Sequence, residues 1–278
     1  MLGKPATLEG YSGEYLRLVR SVCLYAATVL GDLLDDLVIV GGLAPSLLID
    51  QSELPIGLAA HLGTRDLDLG LALSILEEER YEELSARLRD AGFAPDVNDQ
   101  GNVTNQRWRL DSERPITIDF LIPPSGESDR GGTLRHLQQG FAAVITPGLH
   151  LAFADRRKVE VSGRTPSGEE AARAIWVCGP GALLVLKALA FRNRGANKDA
   201  YDFAYVLSGI GVRNASECLR PFLEDPHVKK AVAIIRQDFA THDGLGPRRV
   251  ANFLTNGPDD DIQADVVGDV LAFLQEIS

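Results

Sequence analysis

The stretch Thr64-Arg65-Asp66-Leu67-Asp68-Leu69 places two carboxylates two residues apart, with Leu67 between them and Leu69, Leu71 and Leu73 following at alternate positions. A strand alternates its faces with period two, so Asp66 and Asp68 project on the same side. Two carboxylates on one face of a strand repel each other unless a cation lies between them. Oxygen donors of this kind suit Mg²⁺ or Mn²⁺ rather than zinc. The other reading of the same residues is a polar strand end with two solvated aspartates.

Working outward, the residues upstream read as an apolar strand, Leu37-Val38-Ile39-Val40, rich in β-branched side chains. Gly41-Gly42 follows at once, and then a helical stretch from Leu43 to Ile49. Glycine lets a backbone approach a ligand closely, and helix N-termini favour phosphate. A tight turn with no ligand fits the same two residues. Asp50 to Gly63, with Pro55 and His61, reads as a loop leading into the strand Asp66–Leu73. Further upstream, Leu16, Val19, Val22, Cys23 and Ala26 recur at helical spacing and define a helix from about Gly13 to Leu30, with Ser12 as a candidate cap.

Downstream, Tyr81, Leu84 and Leu88 mark an amphipathic helix over Leu76–Ala91, stopped by Gly92. Gln106–Leu110 and Pro115–Ile122 read as strands. In the second, alternation sets Asp119 on the face of Thr117 and Leu121, opposite Ile118 and Phe120. A carboxylate in such a strand is costly unless paired or metal-bound, which makes Asp119 a candidate third ligand beside Asp66 and Asp68. Phe141–Ile145, Leu149–Phe153, Lys158–Val161 and Ala174–Cys178 read as short strands, with Arg156-Arg157-Lys158 in a turn.

Gly179-Pro180-Gly181 opens an apolar helix running to about Phe191, with Lys187 inside it among Leu183, Leu184, Leu186 and Leu189. Such a lysine either snorkels to the surface or points at an anion. A buried cation without an anion is unfavourable, so if Lys187 contacts triphosphate, Lys187→Met is expected to weaken nucleotide binding and to leave folding unharmed or slightly improved. Asn197 is the expected cap of a helix carrying Lys198, Asp199 and Asp202. There Lys198 and Asp202, four apart, share a face, as an ordinary surface ion pair would. The rest, Ala215 to Ile277, reads as helices broken at Pro221, Gly244–Pro247 and Gly257-Pro258.

Composition sets the outer limits. The net charge of −11, from 28 basic and 39 acidic residues, argues against a non-specific nucleic-acid coat protein but not against a local basic pocket. The acidic runs Glu77-Glu78-Glu79 and Asp259-Asp260-Asp261 read as solvated surface. Cys23, Cys178 and Cys218 are scattered and form no CxxC pair, so neither a disulfide framework nor a zinc site is indicated, and each reads as a small core residue. No apolar run is long enough to span a bilayer and no signal pattern opens the chain, so no membrane partner and a cytoplasmic location are expected.

Taken together, Val38-Ile39-Val40-Gly41-Gly42, Asp66-Leu67-Asp68 and Asp119 resemble the minimal nucleotidyltransferase superfamily. Within it, Thr64-Arg65-Asp66-Leu67-Asp68-Leu69 and the later Lys187, Arg192, Lys198-Asp199 and Asp202 resemble the AbiEii-like abortive-infection toxin family, over about Val38 to Leu207. The second turn residue, Gly42, departs from the serine of many members, and the segment from Gly42 to Asp66 is longer than in the smallest relatives. The resemblance implies an α/β (α+β) fold: a nucleotidyltransferase core over residues 1–178 with a mixed β-sheet and flanking helices, then a mostly helical part over 179–278.

It further implies transfer of an NMP from an NTP with release of pyrophosphate. Asp66, Asp68 and Asp119 would hold Mg²⁺ or Mn²⁺, and Asp66, Asp68, Asp119 and Lys187 would be the catalytic set. Gly41, Gly42, Thr64, Arg65, Lys187, Lys198, Asp199 and Asp202 would bind the nucleotide. The acceptor implied by the toxin relatives is an RNA such as a tRNA 3′ end, with a cognate antitoxin as a further partner in a type IV toxin–antitoxin pair. A small-molecule nucleotidyltransferase of the aminoglycoside type and a catalytically silent nucleotide-binding regulator are the alternatives.

Overall fold

The computed structural model describes residues 5–55, 57–62, 64–72, 78–112, 114–126 and 128–278. In chain order the elements are α1 (Gly13–Leu30), β1 (Leu37–Val40), α2 (Ala44–Leu48), β2 (Asp66–Leu71), α3 (Glu78–Asp90), β3 (Phe93–Val97), β4 (Val103–Leu110) and β5 (Thr117–Ile122). There follow β6 (Leu134–Gln138), β7 (Phe141–Ile145), α4 (His150–Ala154), β8 (Arg156–Arg164) and β9 (Glu170–Cys178). The chain ends in α5 (Pro180–Arg194), α6 (Asn197–Ile210), α7 (Val212–Leu219), α8 (Pro226–Phe239), α9 (Leu245–Thr255) and α10 (Asp260–Glu276). The fold is therefore mixed α/β, a mixed sheet with flanking helices followed by a helical part. Among the described residues no helix is long and apolar enough to cross a membrane.

Two compact units divide the chain. One holds Gly13–Leu43 and Thr64–Cys178; the other holds Lys4–Ser12, Ala44–Gly63 and Gly179–Ser278. The boundary at Cys178/Gly179 coincides with the end of the sheet. The second unit also takes in the segment after the Gly41-Gly42 turn, because Ile49 packs with Tyr201, Tyr205 and Phe253 in one apolar cluster.

In the sheet unit the strand order is β3-β4-β5-β2-β1-β9-β8, with β6 and β7 attached beside the far end of β5. β2 runs antiparallel to β1 and parallel to β5, so both of its edges are paired and its register is fixed from two sides. Leu67, Leu69 and Ile39 meet Cys23, Ala26, Ala27 and Leu30 of α1, which covers one face of the sheet. On that face Phe141 packs on Phe120, Trp108 and Tyr81, the last from α3, with ring centroids 4.9, 5.9 and 6.1 Å apart. The alternation in β5 is as read: Ile118, Phe120 and Ile122 are buried, while Thr117, Asp119 and Leu121 are half-buried on the other side.

Several local expectations are corrected. Leu149–Phe153 is not a strand but lies largely in helix α4, because a five-residue apolar run carries no period that separates helix from strand. Arg156, Arg157 and Lys158 do not lie in a turn; they begin β8, where Arg156 and Lys158 stack on Trp176 across the β8/β9 pair. β3 and β6 had no counterpart in the sequence reading; β3 contains Pro95, which sits at a register shift in an edge strand. The expected strand end at Leu73, the helix start at Leu76 and Glu77 lie outside the described residues. Asp259 of the acidic run caps α10 by accepting from the Ile262 amide, so this run has a structural role.

In the helical unit α5 packs on α6, and Phe191 of α5 and Phe203 of α6 both meet Phe239 of α8, at 5.0 and 4.8 Å between ring centroids. Asn197 does not cap α6. It is the first helical residue, after Ala196, and its side chain instead donates to the Ala6 carbonyl and accepts from Arg249.

Candidate metal centre and buried ion cluster

Register builds the first constellation. Asp68 of β2 lies directly beside Asp119 of β5, and Asp119 lies directly opposite Arg107 of β4. Val40 of β1 pairs with Asp68 on the other side. One row across the sheet thus reads Val40, Asp68, Asp119, Arg107, with Asp66 two residues before Asp68 on the same face. Carboxylate oxygens of Asp66, Asp68 and Asp119 all lie within 4.8 Å of one another.

Local contacts hold these groups in place. Thr64 Oγ1 donates to the Asp66 backbone carbonyl at 2.7 Å, tying the strand entry to the residue that begins the cluster. The Arg65 guanidinium lies over the Tyr15 ring, 4.6 Å from its centroid. Gly41 has φ +69°, and a Cβ built there would sit 2.6 Å from Asp68 Cγ. Glycine is therefore required twice over, for the left-handed backbone and for the room the Asp68 carboxylate occupies. The close approach expected of a ligand at this turn is made by Asp68 itself.

Arg107 is the residue the sequence reading missed. Its Nε and a terminal nitrogen donate to the two oxygens of Asp119, each at 2.6 Å. The hydrogen-bonded Asp119 carboxylate holds the guanidinium even more firmly protonated than usual, against the opposing effect of burial and with help from Asp66 and Asp68. Only strand pairing brings Arg107 to Asp119, twelve residues away, and that pairing is not visible in the sequence.

The three carboxylates fit a hard divalent cation. They supply oxygen donors only, as Mg²⁺ and Mn²⁺ prefer. Oxygens on one Mg²⁺ lie about 2.9 Å apart when adjacent and about 4.2 Å apart when opposite, at a bond length of about 2.1 Å, so an ion bound here would draw the three carboxylates together. Asp66 is buried and Asp119 half-buried, and Arg107 offsets part of the repulsion among the three like charges.

Lys187, Lys198, Asp199 and Asp202 come together in the helical unit. Lys187 Nζ is 2.7 Å from Asp202 and 3.8 Å from Asp199. Lys198 bonds the other oxygen of Asp202. Asp199 takes two bonds from Arg194, at 3.0 and 2.7 Å. His61 Nε2 lies 2.8 Å from Asp202, and its ring stacks on Tyr201. This is not an ordinary surface ion pair, because both residues are buried: Asp202 is 0% and Lys198 9% exposed. Burial alone would push the Asp202 carboxyl up, but Lys187 and Lys198 together hold it far below the usual carboxylate range. Burial lowers Lys198 to about 8, opposed by Asp202 and reinforced by Lys187.

No protein-family model matches the chain, and no curated protein matches it.

Two stability predictions follow from the buried cluster. The anion Lys187 points at is Asp202, so the expectation that Lys187→Met leaves folding unharmed is revised. The variant should lose about 3 kcal/mol, at the low end for breaking a buried pair because Asp202 keeps Lys198 and His61. Urea unfolding of Lys187→Met and of Lys187→Met/Asp202→Asn checks this, and an unchanged midpoint in the single variant would contradict it.

The second concerns His61, which burial depresses to about 4, outweighing its bond to Asp202 and reinforced by Lys198 and Lys187. An unfolded chain takes up this proton near pH 6.5. Stability is thus intact above pH 6.5 and falls as pH drops toward 4, by on the order of 3 kcal/mol. His61→Gln should flatten that part of the stability–pH curve, whereas a parallel curve would show that His61 is not the group titrating.

Proposed function

We propose that this chain is a metal-dependent nucleotidyltransferase that moves an NMP from an NTP to an acceptor hydroxyl. The observation that carries the reading is the convergence of Asp66, Asp68 and Asp119 on one sheet face, next to the Gly41-Gly42 turn. Mg²⁺ or Mn²⁺ bound there would lower the pKa of the attacking hydroxyl and neutralise charge on the triphosphate. The chain's own part is positioning. Paired strands fix the three carboxylates, Thr64 steadies the entry to Asp66, and Arg107 holds Asp119. Backbone amides at a glycine turn are suited to phosphate oxygens.

The finer reading is an RNA acceptor, a tRNA 3′ end in particular, and a toxin held in check by a cognate antitoxin. It rests on the likeness of Thr64–Leu69 and the Lys187/Lys198-Asp199/Asp202 pattern to AbiEii-like proteins.

The test is incubation of the purified protein with each α-labelled NTP, Mg²⁺ or Mn²⁺ and total RNA. Label should enter RNA with wild type, should require the divalent cation, and should fall by about 10²–10³-fold or more in Asp68→Asn, the scale of losing one group that stabilises the transition state. Wild-type activity in a folded Asp68→Asn would refute the site. Label confined to small molecules would keep the chemistry and reject the RNA acceptor.

A further inference from the structure

We infer that Arg107 is a built-in counter-ion that sets how strongly the carboxylate site takes up a divalent cation, making full cation loading depend on the arrival of nucleotide. This rests on the metal-site reading above and adds a regulation to it. The row Asp68, Asp119, Arg107 is fixed by strand register, so the guanidinium is part of the site's design and not a mobile surface group. Its side chain is 18% exposed and that of Asp119 14% exposed, so the pair is only partly screened by solvent. It is also bidentate, using both Asp119 oxygens at 2.6 Å.

Two consequences follow from charge and valence. Three carboxylates and one guanidinium carry a formal charge of minus two, which a single divalent cation neutralises. Without Arg107 the charge would be minus three, and the metal-free site would attract cations more strongly. In addition, any cation that engages Asp119 must share it with Arg107 or displace it, because both oxygens already accept hydrogen bonds. A triphosphate brings further negative charge and its own oxygen ligands, and so supplies what a second cation lacks in the nucleotide-free site. Arg107 is thus a positioning and charge-setting residue that acts through Asp119.

The test is Mn²⁺ titration followed by the EPR signal of free Mn²⁺, at low ionic strength, on wild type, Arg107→Met, Arg107→Gln and Arg107→Lys. Each is measured with and without a non-hydrolysable NTP analogue. Arg107→Met should bind Mn²⁺ alone roughly tenfold more tightly than wild type, the scale of removing one partly screened charge a few ångströms away. Adding the analogue should narrow the gap. Arg107→Lys, which keeps the charge, should stay near wild type. Arg107→Gln keeps a hydrogen-bonding group without charge, and carries the same expectation as Arg107→Met should that variant fail to fold. Unchanged or weaker Mn²⁺ binding in the folded neutral variants would overturn the inference and leave Arg107 as a scaffold for Asp119. Absence of Mn²⁺ binding in every protein, analogue present or not, would instead refute the metal site itself, an outcome separable from the first.

Discussion

Like-charge repulsion among Asp66, Asp68 and Asp119 is the constraint that the sheet unit is built to contain. Carboxylate oxygens within 4.8 Å of each other do not stay together by preference. They are held by backbone pairing on both sides of β2, by Thr64 at the strand entry, and by a glycine whose missing side chain leaves room for Asp68. The opposite face supplies the rigidity, because α1 and the Phe120–Phe141–Trp108 cluster bury the alternate residues of the same strands. Burial on one face and charge on the other are two results of one period-two alternation.

The helical unit meets a similar problem with a different solution. Asp202 is fully buried, and its two oxygens are shared among Lys187, Lys198 and His61. The residues come from α5, α6 and the loop before β2, so the cluster links segments far apart in sequence. Burial keeps His61 neutral, which makes this cluster sensitive to mild acid.

Much of the sheet was legible because its strands alternate cleanly or are wholly apolar. β1, β2 and β5 correspond to the strands read at Leu37–Val40, Asp66–Leu73 and Pro115–Ile122, and with them comes the shared face of the aspartates. Asp119 could be singled out because an acid among Ile118 and Phe120 needs an explanation. What was not legible depends on register or tertiary contact. Arg107 sits in an ordinary-looking strand, and only pairing with β5 gives it Asp119. Lys187 reads from sequence as either reaching the surface or pointing at an anion, and the choice depends on α6, which supplies Asp202. β3 was hidden by Pro95, and α4 by an apolar run too short to show a period.

The central claim is that Asp66, Asp68 and Asp119 form a divalent-cation site. Anomalous diffraction from crystals soaked in Mn²⁺ with a non-hydrolysable NTP analogue tests it most directly. An anomalous peak is expected among the three carboxylates, lost in Asp68→Asn crystals. Clear density for the wild-type carboxylates with no peak between them, or an unchanged peak in Asp68→Asn, would contradict it.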